Sequence, residues 1–327
     1  MRPNRLTPAV SVIVLFLAST GFPADFYRVP NGDTVDINEH GVCARIRNIS
    51  GQDKFVPTRT AKEWQNFRDR LPNGVWKLLC CPDGYISVPG NPEYGTTDFC
   101  VAKYEMKNVN GVAKSQAANI PWVNISREQA RSSCSSLGSH YRLIRNAEWQ
   151  TIARNIELVA ANWSGGAVGS GTLNRGHSDS EPNNPIPASS DDSQACYGTN
   201  QSCSKLQESS QKRTHVLSNG EVIWDFSGNV YEWISDNLSA LNLSPPLSSD
   251  WHEFNSLSEV NRKIFGPSSP VWSSSNGIGR IYGGAGDSFA RGGSWRDGVS
   301  AGIFAAKLNA GPLDAYTNVG FRCVWKP

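Results

Sequence analysis

Between Arg291 and Cys323 two kinds of residue alternate, and the chemically mixed kind is suited to noncovalent recognition. Arg296, Asp297, Val299, Ser300, Lys307, Ala310, Leu313, Asp314, Ala315 and Tyr316 bring guanidinium, ammonium, carboxylate, hydroxyl, aromatic and aliphatic groups into one short stretch. They are interleaved with Ala301, Gly302, Ile303, Phe304, Ala305, Leu308, Pro312 and Val319, which are small or apolar. A frame that buries itself lets the intervening side chains change without disturbing the core, and Tyr among small polar neighbours is the mixture that paratopes use. Tyr316 and Arg296 are the expected anchors, because aromatic and Arg side chains dominate binding hot spots. The alternative is a plain solvated face, since single exposed charges need no explanation.

Covalent chemistry has little to stand on. The histidines His40, His140, His177, His215 and His252 are scattered, and H-E-x-x-H does not occur. His177, within Gly176-His177-Ser178-Asp179, is expected to order its loop, because a lone His without a placed partner is weak evidence for catalysis. With 31 basic against 29 acidic residues and no run of like charge, nothing attracts nucleic acid or an anionic membrane. Residues 1–24 read as a secretory signal, with Arg2 and Arg5 ahead of the apolar run from Val10 to Ala18; an uncleaved anchor is the alternative. In an exported chain the eight cysteines (Cys43, Cys80, Cys81, Cys100, Cys134, Cys196, Cys203, Cys323) can all pair, and none shows C-x-x-C zinc spacing. Eight cysteines allow about a hundred connectivities. The expected pairs are Cys134 with Cys323 and, as a short loop closure, Cys196 with Cys203.

The elements that must position these groups are short. Residues 25–79 form a small module with an alternating segment near residues 41–49 and a helix over 60–71 bearing Trp64 and Phe67. From Cys80 onward, Gly, Pro, Ser and Asn punctuate short β-rich runs. Two helices interrupt them. One starts at Ser126, which has capping-box spacing to Gln129; the other is capped by Asn146 and carries Ala147, Trp149, Ile152, Ala153 and Ile156 as an apolar stripe. Trp149 therefore belongs to the core, as do Trp233 and Trp295, and Arg291 and Arg322 are expected to satisfy buried carbonyls or carboxylates. Residues 162–220 are a long polar stretch. The pattern predicts an α+β domain with an antiparallel sheet, two main helices and long loops over residues 80–327, behind the small N-terminal module.

Four ordered motifs carry a specific resemblance: Tyr141-Arg142-Leu143-Ile144-Arg145-Asn146-Ala147-Glu148-Trp149, Gly228-Asn229-Val230-Tyr231-Glu232-Trp233, Arg291-Gly292-Gly293-Ser294-Trp295 and Gly320-Phe321-Arg322-Cys323. Together they resemble the formylglycine-generating enzyme, or sulfatase-modifying factor, superfamily over about residues 80–327. The resemblance implies a C-type-lectin-like fold. Its enzymes use two copper-binding cysteines between RGGS and GFRC, and residues 296–319 here contain none, so no copper and no catalysis are expected. The segment matching Asp225 to Glu232 binds calcium in relatives, which implies Asp225, Gly228, Val230 and Glu232 as a structural calcium site.

Within that superfamily the tail RGGSWRDGVSAGIFAAKLNAGPLDAYTNVGFRC is most similar to the variable proteins of diversity-generating retroelements. The resemblance implies that the mixed residues within 291–327 are diversified and face a protein or glycan on another cell or phage surface. The expectation is thus a noncatalytic ligand binder that is secreted, periplasmic or displayed at the surface. An oxidase with an altered centre and a structural surface protein are the alternatives.

Overall fold

The computed structural model describes three N-terminal strands, residues 81–203 and residues 211–326. The signal at 1–24 and the helix at 60–71 lie outside the described residues. The chain forms two compact units, Met1–Asp83 and Gly84–Pro327. In the first, β1 (Thr34–Ile37), β2 (Cys43–Arg47) and β3 (Asp53–Pro57) make an antiparallel sheet, with β2 falling in the alternating segment.

The second unit is α+β, as expected. Its first sheet has the order β4 (Tyr85–Val88), β5 (Phe99–Ala102), β17 (Cys323–Trp325), β8 (Tyr141–Leu143), all antiparallel. All four residues of β5 are buried, so it reads as an apolar run without alternation. The last strand of the unit is therefore clamped between two strands from its beginning. A hairpin of β6 (Met106–Val109) and β7 (Val112–Ser115) follows β5, and a second hairpin joins β9 (Thr214–Val216) to β10 (Val222–Trp224).

The larger sheet has the order β12 (Trp251–His252), β13 (Ile281–Tyr282), β15 (Ala306–Ala310), β14 (Ser288–Arg291), β11 (Tyr231–Trp233), β16 (Val319–Gly320). It is mixed: β13 with β15 and β11 with β16 run parallel, and the other pairs antiparallel. Parallel pairing needs long crossovers, which residues 283–305 supply between β13 and β15 and residues 234–318 between β11 and β16.

Helix α1 (Arg127–Ser135) starts where the capping box places it: Ser126 accepts from Gln129 N, and Gln129 returns a bond to Ser126 N. Helix α2 (Asn146–Glu157) departs from expectation at its start. Asn146 is already helical, and extended Arg145 precedes it, its N–H donating to the Glu148 carboxylate that Arg142 holds in an ion pair. The Asn146 side chain is occupied elsewhere, donating to Ile264 O and accepting from Arg291. Trp149 is fully buried, stacked on Phe226 at 3.9 Å, with its indole N–H on Ile303 O. The short helix α3 (Glu259–Phe265) packs beside α2. Among the described residues, no helix is long and apolar enough to cross a membrane.

His215 on β9 is fully buried, with Nε2 3.1 Å from Asn174 O and no partner at Nδ1 among the described residues. Burial pushes its pKa down to about 4. An unfolded imidazole takes up its proton near pH ~6.5, so the stability owed to neutral His215 is intact above that pH and lost as the pH falls towards 4. The loss should total roughly 3 kcal/mol. Urea unfolding of wild type and His215→Gln between pH 7 and 4 should show a shallower acid decline in the variant; parallel curves would refute it.

Candidate functional site

The tail is built on a buried frame. Arg291, at the end of β14, donates to Asn146 Oδ1 (2.6 Å) and to the carbonyls of Phe265, Ala305 and Phe304, with no carboxylate partner among the described residues. Burial lowers its pKa to about 9. Carbonyls and amides thus hold it, one of the two alternatives the sequence left open. The chain then reverses through Gly292 and Gly293, both at positive φ. A Cβ on Gly293 would lie 2.5 Å from Ala301 Cα, so only glycine lets these segments touch. Trp295 follows, 9% exposed, with the Arg296 guanidinium 5.7 Å above its ring. Its indole nitrogen has no partner, so its contribution is packing. Trp295→Ala should lose about 3–5 kcal/mol in urea unfolding; a loss below about 1 kcal/mol would take it out of the core.

β15 shows how the mixed residues are turned outward. Ala306, Leu308 and Ala310 are buried, whereas Lys307 is half-buried and Asn309 exposed, the period-two alternation of a strand with one covered face. Lys307 and Asn309 meet Arg296, Tyr316 and Asn318 around a pit of about 90 Å³. Its inner wall is Tyr231, Trp233, Ala290 and Val319, all buried. Trp233 is anchored by an indole N–H bond to Ile125 O (2.8 Å), and its ring lies 6.3 Å from that of Tyr316. The Tyr316 hydroxyl donates to Asp314 Oδ2 (2.7 Å), and the Tyr316 carbonyl accepts from Asn124 N. Partial burial and the Asp314 carboxylate hold the phenol above its usual pKa, while the Gly311 N–H and the phenol hold Asp314 below its own. Beyond Leu313, an open groove of about 600 Å³ runs along the start of α1 past Trp122, Asn124 and Gln129.

Not every residue in the mixed set faces outward. Arg296, Val299, Leu313, Ala315 and Tyr316 are exposed, and Asp297, Lys307 and Asp314 half-buried. Ser300 and Ala310 correct the sequence reading: Ser300 is 8% exposed, and its backbone carbonyl accepts from Arg280 N. Ala310 is 5% exposed because it closes β15 against Ser288, although it still lines the pit. Asp297 is turned back onto Ser294, accepting from its N–H and hydroxyl. Sequence reasoning missed Asn309, Asn318 and the Tyr231–Trp233 wall. Strand alternation with Lys307 could have found Asn309; nothing local could have found the wall, which comes from β11.

The implied calcium residues do not fit a metal. Both Asp225 oxygens accept from Arg213 at 2.7 Å, and Glu232 is held by Arg322 at 2.8–3.1 Å. A hard dication needs free carboxylate oxygens. Here both carboxylates are already neutralised, and no cluster of three or more His, Cys, Asp or Glu able to hold a metal occurs among the described residues. Cys134–Cys323 and Cys196–Cys203 are disulfide-bonded, and no described cysteine is free. His177 is buried with Nε2 3.1 Å from Asn184 O, holding its own loop.

Comparisons with known proteins return distant matches. A Major Tropism Determinant I1 variant superposes with TM-score 0.35 at 14% identity, over 75% of this chain and 53% of its own length. Treponema denticola variable protein 1 gives 0.29 at 15% identity, over 71% and 85%. PvdO from Pseudomonas aeruginosa gives 0.33 at 15% identity, over 74% and 90%. Scores this low carry no residue-level argument, and this chain spans only about half of the Major Tropism Determinant. No curated protein sequence matches. The family model for the sulfatase-modifying factor enzyme 1-like domain matches residues 54–327, beginning earlier than the four motifs. The chain belongs to the sulfatase-modifying factor enzyme 1-like family.

Proposed function

We propose that the domain is a noncatalytic ligand binder whose C-terminal face carries a preorganised, exchangeable set of side chains. One observation carries the reading: Arg296, Lys307 and Tyr316 converge on one pit whose inner wall, including Tyr231 and Trp233 from far earlier in the chain, is wholly buried. Because that wall is ordered during folding, little conformational entropy is lost on contact. The diversified-protein reading adds that the outward positions change while the frame stays. It predicts a near-copy of the coding segment for residues 291–323, differing at adenines, beside a reverse transcriptase gene. Paired cysteines suit an exported location, facing a protein or glycan on another surface.

Tyr316→Ala tests the site. Measured against purified surface proteins and glycans, the full chain should lose about 2 kcal/mol, roughly thirtyfold in affinity, for the target it binds. Its melting temperature should stay put, since the backbone bond to Asn124 survives truncation. A large stability loss with unaltered binding would assign Tyr316 to the core. Family membership supplies the second reading, a thiol oxidase, and copper-dependent oxidation of a cysteine peptide by the full chain would support it over the binder.

A further inference from the structure

Resting on the binding reading, the pit's own chemistry narrows what it can take. Arg296 and Lys307 both line it, and neither has a carboxylate within ion-pair distance among the described residues. The two nearby acids are satisfied elsewhere: Asp297 accepts from Ser294, and Asp314 from Gly311 N and the Tyr316 hydroxyl. A third donor comes from an independent feature. The Tyr231 hydroxyl, on a side chain 1% exposed, lines the pit and makes no close hydrogen bond among the described residues, with the Asp297 carboxylate its nearest charged acceptor. A buried polar group left unmatched is costly, roughly 1–3 kcal/mol, and calls for an acceptor. The pit therefore offers two cations and a phenol, and the one acid beside that phenol, Asp297, already accepts two bonds from Ser294.

We infer that the pit is a subsite for the carboxylate of an acidic side chain on a protein partner. The guanidinium of Arg296 and the ammonium of Lys307 face the carboxylate, the Tyr231 hydroxyl donates to one of its oxygens, and the methylene stem lies against Trp233 and Tyr316. Size favours a side chain over an acidic sugar. At about 90 Å³ the pit has room for roughly three waters at ~30 Å³ each, which suits a carboxylate with a methylene or two and excludes a pyranose ring.

The test uses the full chain and defined probes: acetyl-Gly-Glu-Gly-amide, its Gln counterpart, glucuronic acid and inorganic phosphate, each followed by NMR titration. The Glu peptide should give saturable shifts confined to Arg296, Lys307, Asn309, Asn318 and the Trp233 indole, with the Gln peptide at least about tenfold weaker, since a charged hydrogen bond contributes that much. Lys307→Gln and Arg296→Gln should each weaken the Glu peptide about tenfold with unchanged melting temperature, and Tyr231→Phe severalfold with no fall in melting temperature. Equal binding of Glu and Gln peptides, or no saturable shift, overturns the carboxylate subsite. Tighter binding of glucuronic acid or phosphate than of the Glu peptide overturns the acidic-side-chain assignment. If Tyr316→Ala still abolishes binding to a panel target while Lys307→Gln and Arg296→Gln do not, the binding face stands and only this subsite falls.

Discussion

Arg322→Met should destabilise the larger unit by about 3–5 kcal/mol, the loss expected when one partner of a buried ion pair is removed and its charge is stranded. Arg322 is fully buried and donates to both oxygens of Glu232, to Ala102 O (2.7 Å) and to Trp224 O (2.8 Å). These contacts tie the segment leading into β17 to β5, β10 and β11. Around them Glu105, Lys107, Arg213 and Asp225 are also buried, so three cations face three carboxylates in one dry region. Burial, opposed by Glu105, brings the Lys107 ammonium down to about 8, while burial and Asp225 push Glu105 well above the usual carboxylate range. Removing one cation from such a balanced set leaves three carboxylates facing two cations. Adding Glu232→Met to Arg322→Met should recover part of the loss, because an apolar pair leaves no stranded ion. Urea unfolding of the three proteins reads this out; a single-variant loss below about 1 kcal/mol would show that the pair is idle. Since the carboxylates are already neutralised, the midpoints should be the same in calcium and in chelator. A calcium-dependent rise in the wild type would restore the metal reading.

Much of this arrangement is legible in the sequence because it is local. Ser126 and Gln129 announce α1 through two backbone bonds that depend only on spacing, and the stripe through Trp149 announces α2. The RGG turn is legible because Gly293 alone tolerates its approach to Ala301. What escaped is what depends on partners far along the chain. Asn146 has the residue type of a cap, but Arg291, distant in sequence, takes its side chain. Ser300 and Ala310 look like their exposed neighbours, and only the packing of Ser300 near Arg280 and of Ala310 on Ser288 buries them. Asp225 and Glu232 have the ligand types of a calcium site, and Arg213 and Arg322 arrive from elsewhere to neutralise them. The pit likewise needs β11 set between β14 and β16 in one sheet with β15, a strand order that no window of the sequence displays.

Replacing Cys134 and Cys323 together by Ala should remove about 4–5 kcal/mol, near the upper end for one disulfide. The two cysteines are 189 residues apart, and the entropy that a cross-link removes from the unfolded chain grows with the logarithm of the loop it closes. For Cys196 and Cys203, separated by 7, the same reasoning gives about half as much, so the two double variants form an internal control. Position adds a second consequence for the long bridge alone. Cys323 opens β17, which sits between β5 and β8, while Val319 and Asn318, a few residues earlier, line the pit. Releasing Cys323 from α1 loosens the strand into which the binding face runs, and ordering that face then falls on the encounter with ligand. Urea unfolding should rank wild type above the Cys196/Cys203 variant and that above the Cys134/Cys323 variant. Amide hydrogen exchange should show residues 316–322 losing protection in the last of these only. Equal losses for the two bridges would mean that loop entropy does not govern their contribution, and unchanged exchange at 316–322 would separate the bridge from the site.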